Sequence, residues 1–200
     1  SLMPEVTPQL TAIERARRSQ IIAGAAACIS KNGYSAASLT AIAKETGVGK
    51  GVILYHFGNK DTLIEEVLKH VYVLADAEVG TRVRAQTTPK GLLDVFISES
   101  FVFISERRDY VIALLLILAD GHGASRIVHG AVQSSTQDLK DILEYGQREG
   151  VFRAFDAGEV AKMIRTLIDV ASYALRDNPS ADMSIYAHEA RSFIQAAIYL

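Results

Sequence analysis

A single cysteine, Cys28, means that no disulfide can close within the chain and that no cysteine-based zinc site is expected. Tryptophan is absent and there are only four prolines (Pro4, Pro8, Pro89, Pro179), so helices have few forced stops. No long hydrophobic run is present. The longest, Tyr110 to Ala119, falls far short of the roughly 20 residues that span a bilayer and reads as a buried helix. No apolar segment follows a basic start, so no signal peptide is expected, and Ser1-Leu2 before Met3 reads as a cloning scar. These absences predict a cytoplasmic protein that does not engage membranes. No stretch keeps strand-like alternation for long, which points to an all-α fold.

Net charge is also scarce, at −2, but its distribution is not even. Residues 1–60 hold seven Lys/Arg against three Asp/Glu, a net +4, whereas residues 61–200 hold fourteen against twenty, a net −6. A basic front on an acidic remainder suggests that only the front meets a polyanion. Hydrophobic residues make up 49% of the 200, enough for a real core.

Several chemistries find no support. The five histidines (His56, His70, His122, His129, His188) form no HExxH or other metal-ligand spacing. His122 and His129 stand seven apart near Asp120, but the flanking glycines argue against a shared helix face. There is no GxSxG, no GxxxxGK[ST], no dinucleotide fingerprint and no arrangement that favours a catalytic triad. No enzyme, cofactor or metal site is expected. Cys28 reads as a small buried residue.

The pattern that is present is helical. A loose arm (1–12) precedes a first helix from about Ala12 to Asn32, with Ile21, Ile22, Ala25, Ala26 and Ile29 on one face. Gly33 stops it, and Tyr34 packs back on it. Ser38 caps a short helix to Thr46, with Leu39, Ile42 and Ala43 inward. Gly47 supplies a turn that tolerates positive φ, and a second short helix follows from about Lys50 to Phe57. Gly58-Asn59 breaks it, and Asn59 caps a long helix over roughly 60–84. Five more are expected at about 91–106, 109–120, 125–149, 157–177 and 182–199. Gly121-His122-Gly123, Gly150 and Asn178-Pro179-Ser180 separate them, and Asp156 with Glu159 has capping-box spacing.

Two short helices joined at Gly47 have the layout of a helix-turn-helix, with Val48 and Ile53 filling the seam and Ala43 permitting close crossing. The second would be the recognition helix, its N-terminal residues against base edges in the major groove. The DNA-binding candidates are Ser38, Thr40, Gly49, Lys50, Gly51, Tyr55, His56 and Lys60. Lys50 can reach a phosphate or a guanine, and Gly51 lets the backbone approach closely. Tyr55 and His56 can reach phosphate oxygens, Lys60 adds its charge to theirs, and Thr40 can touch a base or the backbone. Phe57 should anchor the recognition helix in the core.

Residues 14–63 resemble the DNA-binding domain of TetR-family repressors. The segment "GVGKGVILYHFGNKDTL" nearly reproduces that family's frequent "GVSKGxLYxHFxxKxxL". Gly49 departs from a usual Ser or Thr cap. Leu54 departs from a usual phosphate-binding tyrosine, so Leu54 is expected to face the core and Tyr55 to take over the contact. Residues 150–197 are similar in style to the betaine-inhibitor-like branch. The resemblance implies a ligand-responsive transcriptional repressor that binds a palindromic operator as a homodimer and is released by a small hydrophobic effector. The expected division is 13–60 for DNA binding and 61–200 for ligand binding and dimerisation. Phe96, Phe103, Leu114, Leu118, Met163, Leu167 and Tyr173 are candidate cavity linings. Val160, Ile164, Leu167, Ile168, Ala171 and Leu175 form one candidate dimer face, and Ile185, Ala190, Phe193, Ile194, Ala197 and Ile198 the other. Either face could instead cover the protomer's own core. The rival readings are a helical small-molecule carrier that never touches DNA, and an all-α enzyme.

Overall fold

The computed structural model describes residues 9–121 and 126–200, and all of its regular elements there are helical. The expected arm lies outside the described residues as far as position 8, as do His122 and Gly123 of the expected break between helices. Among the described residues ten α-helices run in order: α1 (Ala12–Asn32), α2 (Leu39–Thr46), α3 (Lys50–Phe57), α4 (Lys60–Ala75), α5 (Thr81–Arg84), α6 (Pro89–Glu106), α7 (Arg108–Ala119), α8 (Arg126–Arg148), α9 (Ala157–Asp177) and α10 (Ser184–Ile198). The only strand-like pairing among the described residues is an isolated bridge between Phe152 and Tyr199.

Local chemistry sets the boundaries. Thr11 and Glu14 form a reciprocal capping box at the start of α1, with the Thr11 N–H donating to Glu14 Oε2 at 2.7 Å. Ser38, Asn59, Thr88 and Asp156 each accept a backbone N–H at the start of α2, α4, α6 and α9. Gly47 ends α2 at φ 68, in the left-handed region where glycine is favoured.

The helix expected over 60–84 is continuous but not uniform. A π turn over Asp76–Gly80 joins α4 to α5. Asp76 and Arg84 pair across it at 2.8 Å, and a Cβ at Gly80 would sit 2.6 Å from Asp76 Oδ1.

Buried side chains gather into two cores. The first holds Ile21, Ile29, Ile42, Ile53, Phe57, Leu63 and Leu68, together with Ala113 and Ile117 of α7. The second joins α6, α8, α9 and α10 through residues such as Leu93, Ile97, Leu139, Leu143, Ile164, Ile168 and Ile194. Helix α4 serves both: Leu63, Ile64, Val67 and Leu68 pack in the first and Val71 in the second. The element that follows α3 therefore ends inside the other half of the molecule.

Candidate nucleic-acid interface

The α2–α3 turn is organised by Thr46. Its hydroxyl donates to the carbonyls of Ile42 and Ala43 (2.9 and 3.2 Å) and accepts from Val48 N–H (3.1 Å), while Gln20 Nε2 of α1 donates to its carbonyl (3.1 Å). A Cβ on Gly24 would lie 2.0 Å from Thr46 Cγ2, so α1 accepts the turn because that position is glycine. Gly24 thus sets how closely α1 meets the end of α2, a position the motif alone does not mark. Val48 and Ile53 are buried in the seam as expected.

Arg18 holds the far end of α3. Its guanidinium donates to the His56 carbonyl at 2.5 Å and stacks over the Phe57 ring at 4.4 Å. It also lies 3.9 Å from Glu66 of α4. One half-buried cation thus ties α1 to the last turn of α3 and the first half of α4. The sequence signal for it was only an arginine in a basic run.

Ser38, Thr40, Gly49, Lys50, Gly51 and Tyr55 are exposed, and His56 and Lys60 are half-buried. Tyr55 is 77% exposed and meets the His56 ring edge-on at 5.2 Å. Ser38 uses its side-chain oxygen as the α2 cap. Lys60 is held inward: Nζ donates to the Tyr34 carbonyl at 3.3 Å and sits 4.3 Å from the centre of its ring. It fastens the start of α4 to the loop before α2. Gly49 caps α3 with no side-chain bond.

Leu54 departs from expectation. It does not face the core but is 38% exposed, because Ile53 and Phe57, four apart, already take the inward side and Leu54 stands a quarter-turn away. Phe57 is buried as expected.

The second half brings two more corrections. Phe96 and Phe103 are buried, and Leu114, Leu118 and Leu167 are partly buried. Met163 (62% exposed) and Tyr173, however, point outward from α9 and cannot line an interior cavity. Of the dimer candidates, Ile164, Ile168, Ala171, Leu175, Ala190, Ile194 and Ile198 are buried in the protomer's own core, with Val160 and Leu167 packed against it. Only Ile185, Phe193 and Ala197 are exposed. Both expected faces coincide with the stronger apolar stripe of their helix, which the protomer's core takes up. The outward apolar stripe is the weaker one: Met163, Val170 and Tyr173 on α9, and Ile185, Phe193 and Leu200 around α10.

A groove of about 610 Å³ runs between α6 and the start of α10, past Phe101, Val102, Met183 and Ala187. It contains none of the predicted lining residues. A smaller cleft of about 210 Å³ includes Phe103 beside the Glu78–Arg107 and Arg82–Glu99 pairs. Among the described residues no His, Cys, Asp and Glu side chains group to hold a metal ion, and no helix is long and apolar enough to cross a membrane.

A short helix pair closed by a left-handed glycine, with a basic first helix behind it and a helical layer beyond, defines a helix-turn-helix protein of two parts. Residues 21–67 match the family described as bacterial regulatory proteins, tetR family. The HTH-type transcriptional regulator BetI of Ectopseudomonas mendocina (strain ymp) is 34% identical over 87 residues, covering 42% of this chain and 44% of that protein. The chain thus spans less than half the length of the curated relatives it matches. The ketosteroid transcriptional regulator KstR2 of Mycobacterium tuberculosis shares the fold at a TM-score of 0.79 and 20% identity, over 98% of this chain and 100% of that one. A putative transcriptional regulator from Saccharomonospora viridis, solved in complex with choline, does so at 0.80 and 21%, over 93% and 99%. The family match and the curated relatives support a TetR-family regulator, the solved neighbours share its fold, and the relatives are named as transcriptional regulators.

Proposed function

We propose that this chain is a cytoplasmic, ligand-responsive repressor that binds a palindromic DNA operator as a homodimer and is released by a small hydrophobic effector. The observation that carries the reading is the α2–Gly47–α3 turn, which leaves the first turn of α3 exposed between Gly49 and Val52. Lys50 would contact phosphate or guanine there, and Thr40 and Tyr55 would contact the strands on either side. Ser38, Gly49, Gly51 and His56 complete the proposed surface. Lys60 contributes mainly by fixing the start of α4.

One such helix makes few contacts, so two are needed about 34–36 Å apart to read a palindrome. The proposed dimer face is the outward stripe of α9 and α10, with Met163, Val170, Tyr173 and Phe193. It leaves the protomer's core intact. The effector would act among α6–α9, near Phe96, Phe103 and Leu167, and a neighbour of this fold is solved in complex with choline. Because α4 is packed in both cores, a tilt imposed on its Val71 end would move α3 at the other end and spoil the half-site spacing.

The test is selection from a random duplex pool with purified protein. Enrichment of a palindrome with half-sites one helical turn apart supports the reading. Absence of any enrichment at low salt would sink it. Compounds that weaken binding to the enriched duplex then report the effector.

A further inference from the structure

The outer side of α3 carries few side chains able to read a base. Ile53 and Phe57 are buried and fix which side meets the protein. At about 100° per residue, Gly51 and Tyr55 lie opposite them, and Val52 lies about 60° round from Tyr55. Gly49 and Gly51 contribute no side chain, so the first turn presents one ammonium, on Lys50, and one isopropyl group, on Val52. Val52 is 41% exposed.

Neither glycine is required by the fold. Neither has a positive φ, and nothing lies within 4 Å of where a Cβ would stand on Gly49 or Gly51. The surface around Val52 is therefore open, and a flat base edge can come down onto it. In the major groove every base pair offers hydrogen-bond donors or acceptors, but only thymine offers a methyl group. A lysine suits guanine O6 and N7. A valine suits the thymine methyl and gains nothing from the polar edges, against which it would leave groups without partners.

We infer that Val52 reads the 5-methyl group of one thymine in each operator half-site. The inference rests on the DNA-reading function proposed above and names the base that this part of α3 selects. Leu54 on the same helix, 38% exposed, and Thr40 on α2 are the other exposed side chains with methyl groups on this surface, so the test separates Val52 from both.

The experiment replaces each thymine of the selected operator by uracil, which removes the methyl and nothing else, and measures binding of the full chain and of its V52A variant. Burying one methyl is worth about 0.8 kcal/mol, or about fourfold in affinity per half-site and about fifteenfold when both half-sites change. The wild-type chain should show that loss at one thymine per half-site. V52A, which alters an exposed side chain and should melt like wild type, should bind the thymine operator more weakly and be indifferent to uracil at that position. An operator that tolerates uracil at every thymine overturns the inference while leaving the regulator reading intact. So does a V52A variant that keeps the full uracil penalty, which would pass the role to Leu54, Thr40 or Tyr55. If no duplex is enriched at all, the regulator reading itself fails and the inference with it.

Discussion

Replacing Gly51 by alanine should move folding stability and DNA affinity in opposite directions. Gly51 is the second residue of α3, its φ is not positive, and a Cβ there meets nothing within 4 Å. Inside the isolated protein the change adds a methyl in open space and removes backbone freedom from the unfolded chain. Such a replacement in a helix stabilises by about 0.5–1 kcal/mol. For a chain of this size that is a rise in Tm of about 1–4 °C. In the proposed complex with DNA the same methyl would point from the outer side of the helix toward the base edges. If the backbone approaches the groove as closely as a glycine allows, the added carbon must push α3 outward, at an estimated cost of about 1–2 kcal/mol per half-site by analogy with overpacking. A dimer would lose roughly thirtyfold to nearly a thousandfold in operator affinity. Thermal melts of the free protein and fluorescence anisotropy on a labelled operator, at one fixed salt concentration, measure the two effects separately. A stabilised variant that binds the operator as tightly as wild type would refute the close approach. A destabilised variant would refute the claim that the fold has room.

Gly24→Ala should destabilise by about 1–3 kcal/mol in chemical denaturation, because its Cβ would land 2.0 Å from a Thr46 methyl whose hydroxyl is already committed to three backbone groups. Arg18→Ala should lower both stability and operator affinity, since it frees the His56 carbonyl and the last turn of α3. Arg18→Lys should rescue only part, because a lysine cannot stack a planar fork on Phe57 while bonding that carbonyl. Burial beside Tyr110, with Arg107 as a lesser influence, holds His70 below the usual imidazole range. Its folded value is thus lower than its unfolded value near 6.5, so stability should be present above that pH and fall as the solution is acidified through it. Melts of wild type and His70→Gln between about pH 7.5 and 5 should show a shallower slope in the variant. Phe193→Glu, on an exposed position of α10, should leave the protomer folded and shift sedimentation from dimer to monomer, and a variant that remains dimeric would move the interface elsewhere.

What could be read from the sequence followed the range of the forces involved. Helix ends are decided by neighbours in the chain, and Ser38, Gly47, Asn59 and Asp156 stand where the structure uses them. The Thr11–Glu14 box is as plain in the spacing TAIE, at the edge of the residues expected as an arm. Contacts between distant residues left little trace. Nothing near Gly24 shows that it faces Thr46, and nothing near Arg18 shows that it stacks on Phe57. Leu54 was misplaced for a related reason. A departure from a family pattern suggested burial, whereas the inward positions of an eight-residue helix were already filled by Ile53 and Phe57.

The second half was harder to read because its helices are apolar on more than one side. On α9 the regular stripe Ile164, Ile168, Ala171 and Leu175 is the longer and more hydrophobic, so it wins the protomer's core, and the shorter stripe of Met163, Val170 and Tyr173 is left outside. Periodicity ranks such stripes but does not say what covers the second. The polar residues between them are more informative. Arg165 lies 3.9 Å from Asp169, beyond hydrogen-bonding reach, and stands 5.2 Å over the Phe96 ring with its Nε buried and unpartnered. Burial pushes the Asp169 carboxyl above its usual range, and Tyr72 of α4 feels both charges. A poorly paired charge between helices costs stability that a tighter apolar arrangement would retain. The Arg165 and Asp169 charges reach Tyr72 of α4, the helix that also packs in the first core, so this loosely satisfied pair lies where the two cores meet.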